Sequence, residues 1–389
     1  MSRIYHESYV TLAAVMAADA SEGCFAVADP KYVPKSLRFS TSASESCNVT
    51  YNAIMRSKKT KGILDERAWV LQETLLSPRT VRFLEQELVW ECRQASACES
   101  SEFYDDSVTK VMHSYNGLTS SSSDIEMERC WETIVQAYTK RALSYSSDIF
   151  PALQGLAATM PSRMGDYLAG HWRNTLPQSL RWSQACFSSV ATRPSVRRPA
   201  EWRAPTWSWA SICAAVRWPG SAGSLCQVWD AETTLKGNDP SGQLLSGKLT
   251  LKGQYLMGTV HYNSPDSYGR PREPSVVMTI NKYVIHERVN WDYDIRLEEQ
   301  HHVPHGSAVM VLKLASLPNL HYWLILRASD ADQQTHERLG LMSRSVSIDL
   351  MGSNRNLGRD NWDRQLVACR EVEVLDNAAE GNEIVVTII

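Results

Sequence analysis

Asp65-Glu66-Arg67-Ala68-Trp69-Val70-Leu71-Gln72-Glu73-Thr74-Leu75-Leu76-Ser77-Pro78-Arg79 is the stretch that organises this chain. Asp65 is a good helix cap, and Trp69, Leu71, Leu75 and Leu76 supply an apolar side, so a short helix is expected over Glu66 to Leu75. Ser77-Pro78 ends it, because proline disfavours helical geometry in the residue before it. Two β-type runs follow, Thr80 to Leu84 and Glu87 to Cys92, joined through Glu85-Gln86. Their length and spacing read as a hairpin. Upstream, the apolar run Val10 to Val15 reads as a buried strand. It ends in the turn formers Asp19-Ala20-Ser21-Glu22-Gly23.

Further out, residues 28–60 are polar and irregular, and the basic run Arg56-Ser57-Lys58-Lys59-Thr60-Lys61 reads as a solvated loop. Residues 93–123 are also polar and end in a serine tract that cannot pack a core, so a loop is expected. Asp124 then caps a helix over Ile125 to Leu143, where Trp131, Val135, Tyr138 and Ala142 recur at spacings of three or four. A second helix is expected over Ile149 to Met160, with Pro151 in its first turn. Shorter ones are expected over Asp166 to Trp172 and Pro177 to Ser183. Residues 193–205 form an extended basic connector with Arg193, Arg197, Arg198 and Arg203. Pro205 to Ser211 reads as a strand. Beyond residue 220, β-type runs take over: Lys248–Leu251, Val276–Ile285, Ala308–Leu314, Tyr322–Leu326, Leu366–Val374 and Glu383–Ile389. The fold class is α+β, in three regions: 1–92, a helical and Trp-rich 93–219, and a β-rich 220–389 that forms a sandwich or barrel-like unit.

Composition narrows the function. A 43% hydrophobic content with a net charge of −3 over 389 residues excludes a disordered chain and a general polyanion binder. No apolar stretch is long enough to span a bilayer, and the start of the chain lacks a secretory pattern. Nine scattered Cys without a CxxC spacing fit reduced thiols in a cytoplasmic protein better than a disulfide framework. Asn48-Val49-Thr50 then reads as a chance sequon. Thirteen Trp against six Phe is the one unusual usage.

The block Arg67 to Arg79 resembles the closing block of the fungal heterokaryon-incompatibility (HET) domain, and Val81 to Cys92, with Trp90-Glu91-Cys92, continues the pattern. Ile4-Tyr5, Val10 to Ala14 and Ser21-Glu22-Gly23 resemble the preceding block. Trp131 through Tyr138, Leu143, Asp148, Ala152 and Gly155 are similar to downstream parts of family members. So are Tyr167 to Trp172 with Leu180 and Trp182, and Pro205 to Ser211. The likeness spans roughly residues 1–215. Two family blocks, of Tyr-Cys-Trp-Gly and Trp-Ile-Asp-Leu-Cys-Ile type, have no counterpart here, so an N-terminally truncated member is expected. The resemblance implies a remnant of a TIR-like, doubly wound α/β core and a role in nonself recognition and programmed cell death. NAD cleavage would be a step further by analogy.

Candidate chemistry gathers in few places. Trp69 and Glu73 share a helix face at i and i+4. Glu73 could serve as acid or base, with Arg67 and Arg79 holding a phosphate; the plainer reading is a salt-bridge cluster locking helix to hairpin. His301, His302 and His305 beside Glu298 and Glu299 suggest a metal, but Pro304 interrupts the run and a solvated loop is expected. Gly242 to Leu249 misses the phosphate-loop pattern at its last position. The connector with Trp202 reads as a surface loop. The Trp set, with Trp69, Trp131, Trp172, Trp207, Trp209 and Arg203, is either a packed seam or a pocket for a small aromatic or cationic ligand. In a strand Trp207 and Trp209 would face the same way.

The leading expectation is a cytoplasmic HET-family protein without independent catalysis, without metal or cofactor, and without nucleic-acid or membrane partners. A secondary-metabolite cyclase or isomerase with a Trp-lined pocket is the alternative, and a TIR-like NAD-cleaving enzyme the third reading. A sheet lacking its central strands would expose edges and apolar faces. Either residues 93–230 cover them, or a partner does: a HET-family protein or a second copy in a homo-oligomer.

Overall fold

The computed structural model describes residues 2–25, 35–40, 46–51, 62–85, 87–99, 107–185, 196–220, 223–265, 267, 272–280, 283–297, 301–317, 320–330, 332, 334–345, 379 and 382–389. The chain is mixed α/β, with many strands and few helices. It divides into two compact units: residues 1–145 with 151–160, and residues 146–150 with 161–389. The boundaries expected after residues 92 and 219 fall inside the first and second unit respectively. The basic run at 56–61, Arg193 and the strand expected at 366–374 lie outside the described residues. No described helix is long and apolar enough to cross a membrane.

The first unit opens with α1 (Ser2–His6) and β1 (Thr11–Ala13), then the paired β2 (Lys35–Ser40) and β3 (Ser46–Tyr51). Residues 28–60 were expected to be irregular; the β2–β3 ladder corrects this. A 3-10 turn, Ile63–Glu66, leads into α2 (Ala68–Leu76). Then come β4 (Arg79–Phe83), β5 (Leu88–Cys92) and β6 (Ser96–Cys98). These strands form one sheet in the order β1-β4-β5-β6. The expected helix and hairpin are present, but Asp65 does not cap the helix. Arg67 holds the cap position without a side-chain bond. The Asp65 carboxylate instead meets the buried Arg82 guanidinium at 2.5 Å, and Arg82 also reaches Glu91 at 3.4 Å. The electrostatic gain from a buried guanidinium outweighs that of a cap.

β1 pairs with β4 in parallel, Leu12 against Val81, while β4–β5 and β5–β6 are antiparallel. A doubly wound core would be built from parallel strands; among the described residues of this sheet, β1–β4 is the parallel pair. Nor is β1 a buried strand: it lies at the sheet edge, and Leu12 is 61% exposed.

The polar stretch expected to be a loop contains α3 (Ser107–Asn116), which packs against α4 (Asp124–Tyr138) and buries Val111 and Met112. Two apolar residues one turn of chain from Tyr115 suffice to seat a short helix on a neighbour, a tertiary effect that polar composition hides. In α4, Ser123 is the cap, not Asp124: its side chain accepts from Glu126 N while the Glu126 carboxylate accepts from Ser123 N. The helix ends at Tyr138, short of Leu143, because Ala142 leaves it to bridge Arg67. The helix expected over 149–160 breaks into 3-10 turns at Ser146–Ile149 and Pro151–Leu153 and a single helical turn, α5 (Gln154–Ala157).

In the second unit, Asp166–Trp172 is a hairpin and not a helix: β7 (Tyr167–Leu168) pairs with β8 (His171–Trp172). Ala169 (φ 49) and Gly170 (φ 90) form the turn. Two left-handed residues give the twist that suits a two-residue hairpin loop. Pro177–Ser183 contains one 3-10 turn, Gln178–Arg181, before β9 (Ser183–Gln184). The strand expected at 205–211 is a turn ending in a 3-10 helix, Trp209–Ser211, because the Ser208 hydroxyl accepts from Ala210 N and folds the backbone back. β10 (Val216–Arg217) pairs with β9.

The β-rich sheet is as expected. Its described strands are β11 (Gly223–Ser224), β12 (Gln227–Leu235), β13 (Leu244–His261), β14 (Ser275–Ile280), β15 (Tyr283–Trp291), β16 (Ala308–Leu317), β17 (Leu320–Ala328), β18 (Thr335–Ser345) and β19 (Glu383–Ile388). β13 pairs with β14 through Thr259–His261 and with β16 through Tyr255–Thr259. The pairings β13–β14–β15–β18–β17–β16 therefore return to β13. Val260, Met278, Val311, Trp323, Ile325 and Leu339 fill the core. β12 and β18 went unforeseen because their sequences, QVWDAETTL and THERLGLMSRS, mix charge into every turn of the alternation.

Gly170 is fixed twice over: by its φ, and by the Trp209 indole, whose Nε1 would lie 2.4 Å from an added Cβ. Gly170→Ala is expected to cost about 2–4 kcal/mol, combining a left-handed penalty with overpacking. Urea unfolding followed by Trp fluorescence measures it.

Candidate functional site

The first unit brings Arg67 and Glu73 together through a residue the sequence reading did not single out, Tyr5. Burial, followed by the charge and hydrogen bond of the Glu73 carboxylate, pushes the Tyr5 phenol up to about 12, and Arg67 pulls it back. The phenol therefore donates to Glu73 at neutral pH. Tyr5 lies on α1, Glu73 on α2 and Arg67 just before it, and α1 packs on α2. Glu73 and Trp69 are half-buried on the side of α2 that shares this neighbourhood, whereas Val70, Leu71 and Leu75 are buried.

Below the cluster, the buried Gln72 Oε1 accepts from Gly155 N at 2.5 Å. A Cβ on Gly155 would lie 2.4 Å from Ser2 Cβ, so glycine is what lets α1, α2 and α5 meet. Arg79 is not part of the cluster. Its guanidinium lies 5.2 Å from the centre of the Tyr9 ring and donates to Tyr9 O at 3.3 Å. A hydroxyl chain runs alongside: Ser8 Oγ to Thr11 Oγ1 (3.2 Å), and Thr11 Oγ1 to Ser77 Oγ (2.8 Å). Tyr5, Arg67 and Glu73 thus form a partly open acid–phenol–guanidinium group, which can exchange a proton or bind a polar group.

The second unit holds Trp172, Trp207, Trp209 and Arg203; Trp69 and Trp131 belong to the first. Trp209 is fully buried, donates to Gly170 O at 3.0 Å and packs on Phe150. Trp207 is fully buried beside His171, and its carbonyl accepts from Trp182 Nε1 at 3.1 Å. Trp172 packs edge-on against Tyr167. Arg203 donates to Ala210 O and Ile212 O, and so pins the loop that carries Trp207 and Trp209. Each contact is of the kind that locks a core.

At its centre Arg338 and Asp292 are both fully buried. Arg338 Nε and Nη2 donate to the two carboxylate oxygens at 2.9 and 3.2 Å. Arg338 also donates to Leu180 O and Trp182 O, and lies 3.5 Å from the Trp182 ring centre. His171 is buried nearby, with Nδ1 2.9 Å from Ser179 Oγ. Burial, reinforced by the Arg338 charge and opposed by the Trp207 carbonyl, holds the His171 imidazole down to about 3. It is a neutral clasp at physiological pH.

Among the described residues, no group of three or more His, Cys, Asp or Glu is arranged to hold a metal ion. Glu298 and Glu299 lie outside them. His305 Nδ1 accepts from Tyr262 N, and His301 packs on Tyr293. Of the described thiols, burial pushes Cys130 up to about 11 and Cys226 up to about 12, so both are inert. Cys213 is exposed.

Residues 1–73 match the model of the family described as Heterokaryon incompatibility protein (HET). No curated protein and no solved structure matches the chain. The matched segment covers under a fifth of the 389 residues. The segment contains Tyr5, Arg67, Trp69 and Glu73 and stops before Arg79 and the hairpin. Tyr5 could have been found from the Ile4-Tyr5 resemblance; Gln72 and Gly155 both stand in family-like blocks, but their contact carries no local signal, since 83 residues separate them.

Two outcomes follow in the second unit. Asp292→Asn leaves Arg338 buried without its counter-charge and is expected to cost about 3–5 kcal/mol in chemical denaturation. His171 has a folded value below its unfolded one, about 6.5. The unfolded chain therefore takes up a proton that the folded chain refuses, and stability falls as pH drops from about 6.5 toward about 3. In urea titrations between these limits, His171→Gln should show a shallower slope than wild type by close to one proton.

Proposed function

We propose that this is a HET-related protein of fungal nonself recognition and programmed cell death, acting without independent catalysis. The observation that carries the reading is the match of residues 1–73 to the HET family, coincident with a folded α1–β1–α2 arrangement around Tyr5, Arg67 and Glu73. On this reading the β1–α2–β4 unit is a remnant of a TIR-like core, and the returning strand circuit of the second unit is a small barrel. The separation of Arg79 from Glu73 favours a recognition surface over a phosphate-holding catalytic site. The burial of Trp207 and Trp209 favours packing over the Trp-lined pocket of a cyclase or isomerase.

Inducible expression of the full chain in a filamentous fungus tests this. The expected result is reduced viability or blocked hyphal fusion; normal growth and fusion at confirmed protein levels would sink the role. Glu73→Gln, which keeps the side-chain shape, is expected to leave the phenotype unchanged. Its loss with normal protein abundance would favour a catalytic carboxylate, and nicotinamide release from NAD by the purified chain would favour the NAD-cleaving reading.

A further inference from the structure

The serine tract Thr119-Ser120-Ser121-Ser122-Ser123 runs straight into Asp124-Ile125-Glu126-Met127-Glu128. It joins α3 to α4, which pack on each other. A hydroxyl with a carboxylate three residues downstream is the pattern that a kinase with a basic substrate groove selects. The carboxylate meets a fixed cation while the hydroxyl reaches the phosphate donor. Among the described residues, the hydroxyls that fit are those of Ser96 (with Glu99), Ser121 (with Asp124), Ser123 (with Glu126) and Ser329 (with Asp332).

The fold separates these four. Ser329 is buried, and its N–H donates to Thr335 O. Ser96 lies in β6 with its Oγ enclosed. Neither reaches a kinase while its backbone pairing holds. Ser123 is exposed but committed to the cap of α4. Its Oγ accepts from Glu126 N at 3.3 Å and donates to Glu126 Oε2 at 2.9 Å, and Ser123 N donates to the same oxygen at 2.7 Å. These bonds, the backbone one first, hold the Glu126 carboxyl below its usual range. The two halves of the Ser123 pattern are therefore engaged with each other.

Ser121 is arranged differently. It is exposed, and its hydroxyl meets the Thr119 hydroxyl at 2.8 Å. Asp124 is exposed in the first turn of α4. The turn between them is held by Ser122, which is buried: Ser122 N donates to Thr119 O at 3.1 Å, and Ser122 Oγ accepts from Thr119 N at 3.0 Å. Burying Ser122 presents Ser121 outward. Opening a surface turn that encloses so little costs less than opening a helix or a sheet.

We propose that Ser121 is a phosphorylation site for an acid-directed serine/threonine protein kinase, with Asp124 as the recognition charge. The Ser121 Oγ attacks the γ-phosphorus of magnesium ATP. An Oγ–P bond forms, the bond from that phosphorus to the β–γ bridging oxygen breaks, and ADP leaves. The hydroxyl proton passes to a carboxylate base of the kinase. The product carries about two added negative charges. They lie ahead of the Ser123–Glu126 box and leave it intact, so α4 and its packing persist while the α3–α4 connection becomes strongly anionic. The inference does not depend on the cell-death reading, and its test uses no viability measurement.

The purified full chain is incubated with an acid-directed kinase and magnesium ATP, beside an acidic control peptide, and peptide mass spectrometry maps the phosphate. Ser121 is the expected acceptor. Ser121→Ala should abolish labelling of residues 119–123, and Asp124→Asn should lower the initial rate by about tenfold. The phosphorylated chain should keep the far-UV circular dichroism of the unmodified one. No phosphate on Ser121 while the control peptide is labelled overturns the site, as does phosphate on Ser123 in its place. A rate indifferent to Asp124→Asn overturns the role of Asp124. Should that variant perturb α4, the map of the wild-type chain decides the site by itself.

Discussion

A single guanidinium organises the larger unit. Arg338 projects from β18, inside the sheet, and spends four donated hydrogen bonds on Asp292 just after β15 and on the carbonyls of Leu180 and Trp182. Burying a cation is tolerable only when such partners replace its water. The Trp182 ring, at 3.5 Å, closes the remaining face by cation–π attraction. Segments nearly 160 residues apart are thereby held in one register. The local turns at 167–185 have few backbone pairings of their own, so their geometry depends on this tie. Trp182, Trp207, Trp209 and His171 are buried within the same wall; Trp182 and Trp209 donate their indole N–H to the carbonyls of Trp207 and Gly170, and His171 is held neutral.

The first unit answers the same problem on a smaller scale. Arg82 with Asp65 and Glu91 anchors the sheet's inner side, while Gln72 and Gly155 let three helices approach closely. These contacts hold Tyr5 over α2 and so create the acid–phenol–guanidinium group. The HET-family match ends at residue 73, at the last member of that group.

The sequence by itself determined the elements that alternate or repeat cleanly. The helix near Ala68–Leu76, the hairpin after it, α4 and the β-rich last third were all legible, because side-chain period depends on local geometry. The HET resemblance was legible in the Arg67–Arg79 block, as were Arg67 and Glu73 as a pair worth examining. Tertiary structure decided what local pattern cannot encode. Asp65 left its capping role because Arg82, 17 residues on, offers a charged partner. Asp166–Trp172 became a hairpin because Ala169 and Gly170 are held left-handed, with Gly170 under Trp209. Arg79 parted from Glu73 because β4 pairs with β1 and carries it to Tyr9. Tyr5, Gly155, Asp292 and Arg338 matter through partners 46 to 158 residues away or on another helix. Their roles come from desolvation and charge in the folded interior, and neither quantity exists until the chain has closed around them.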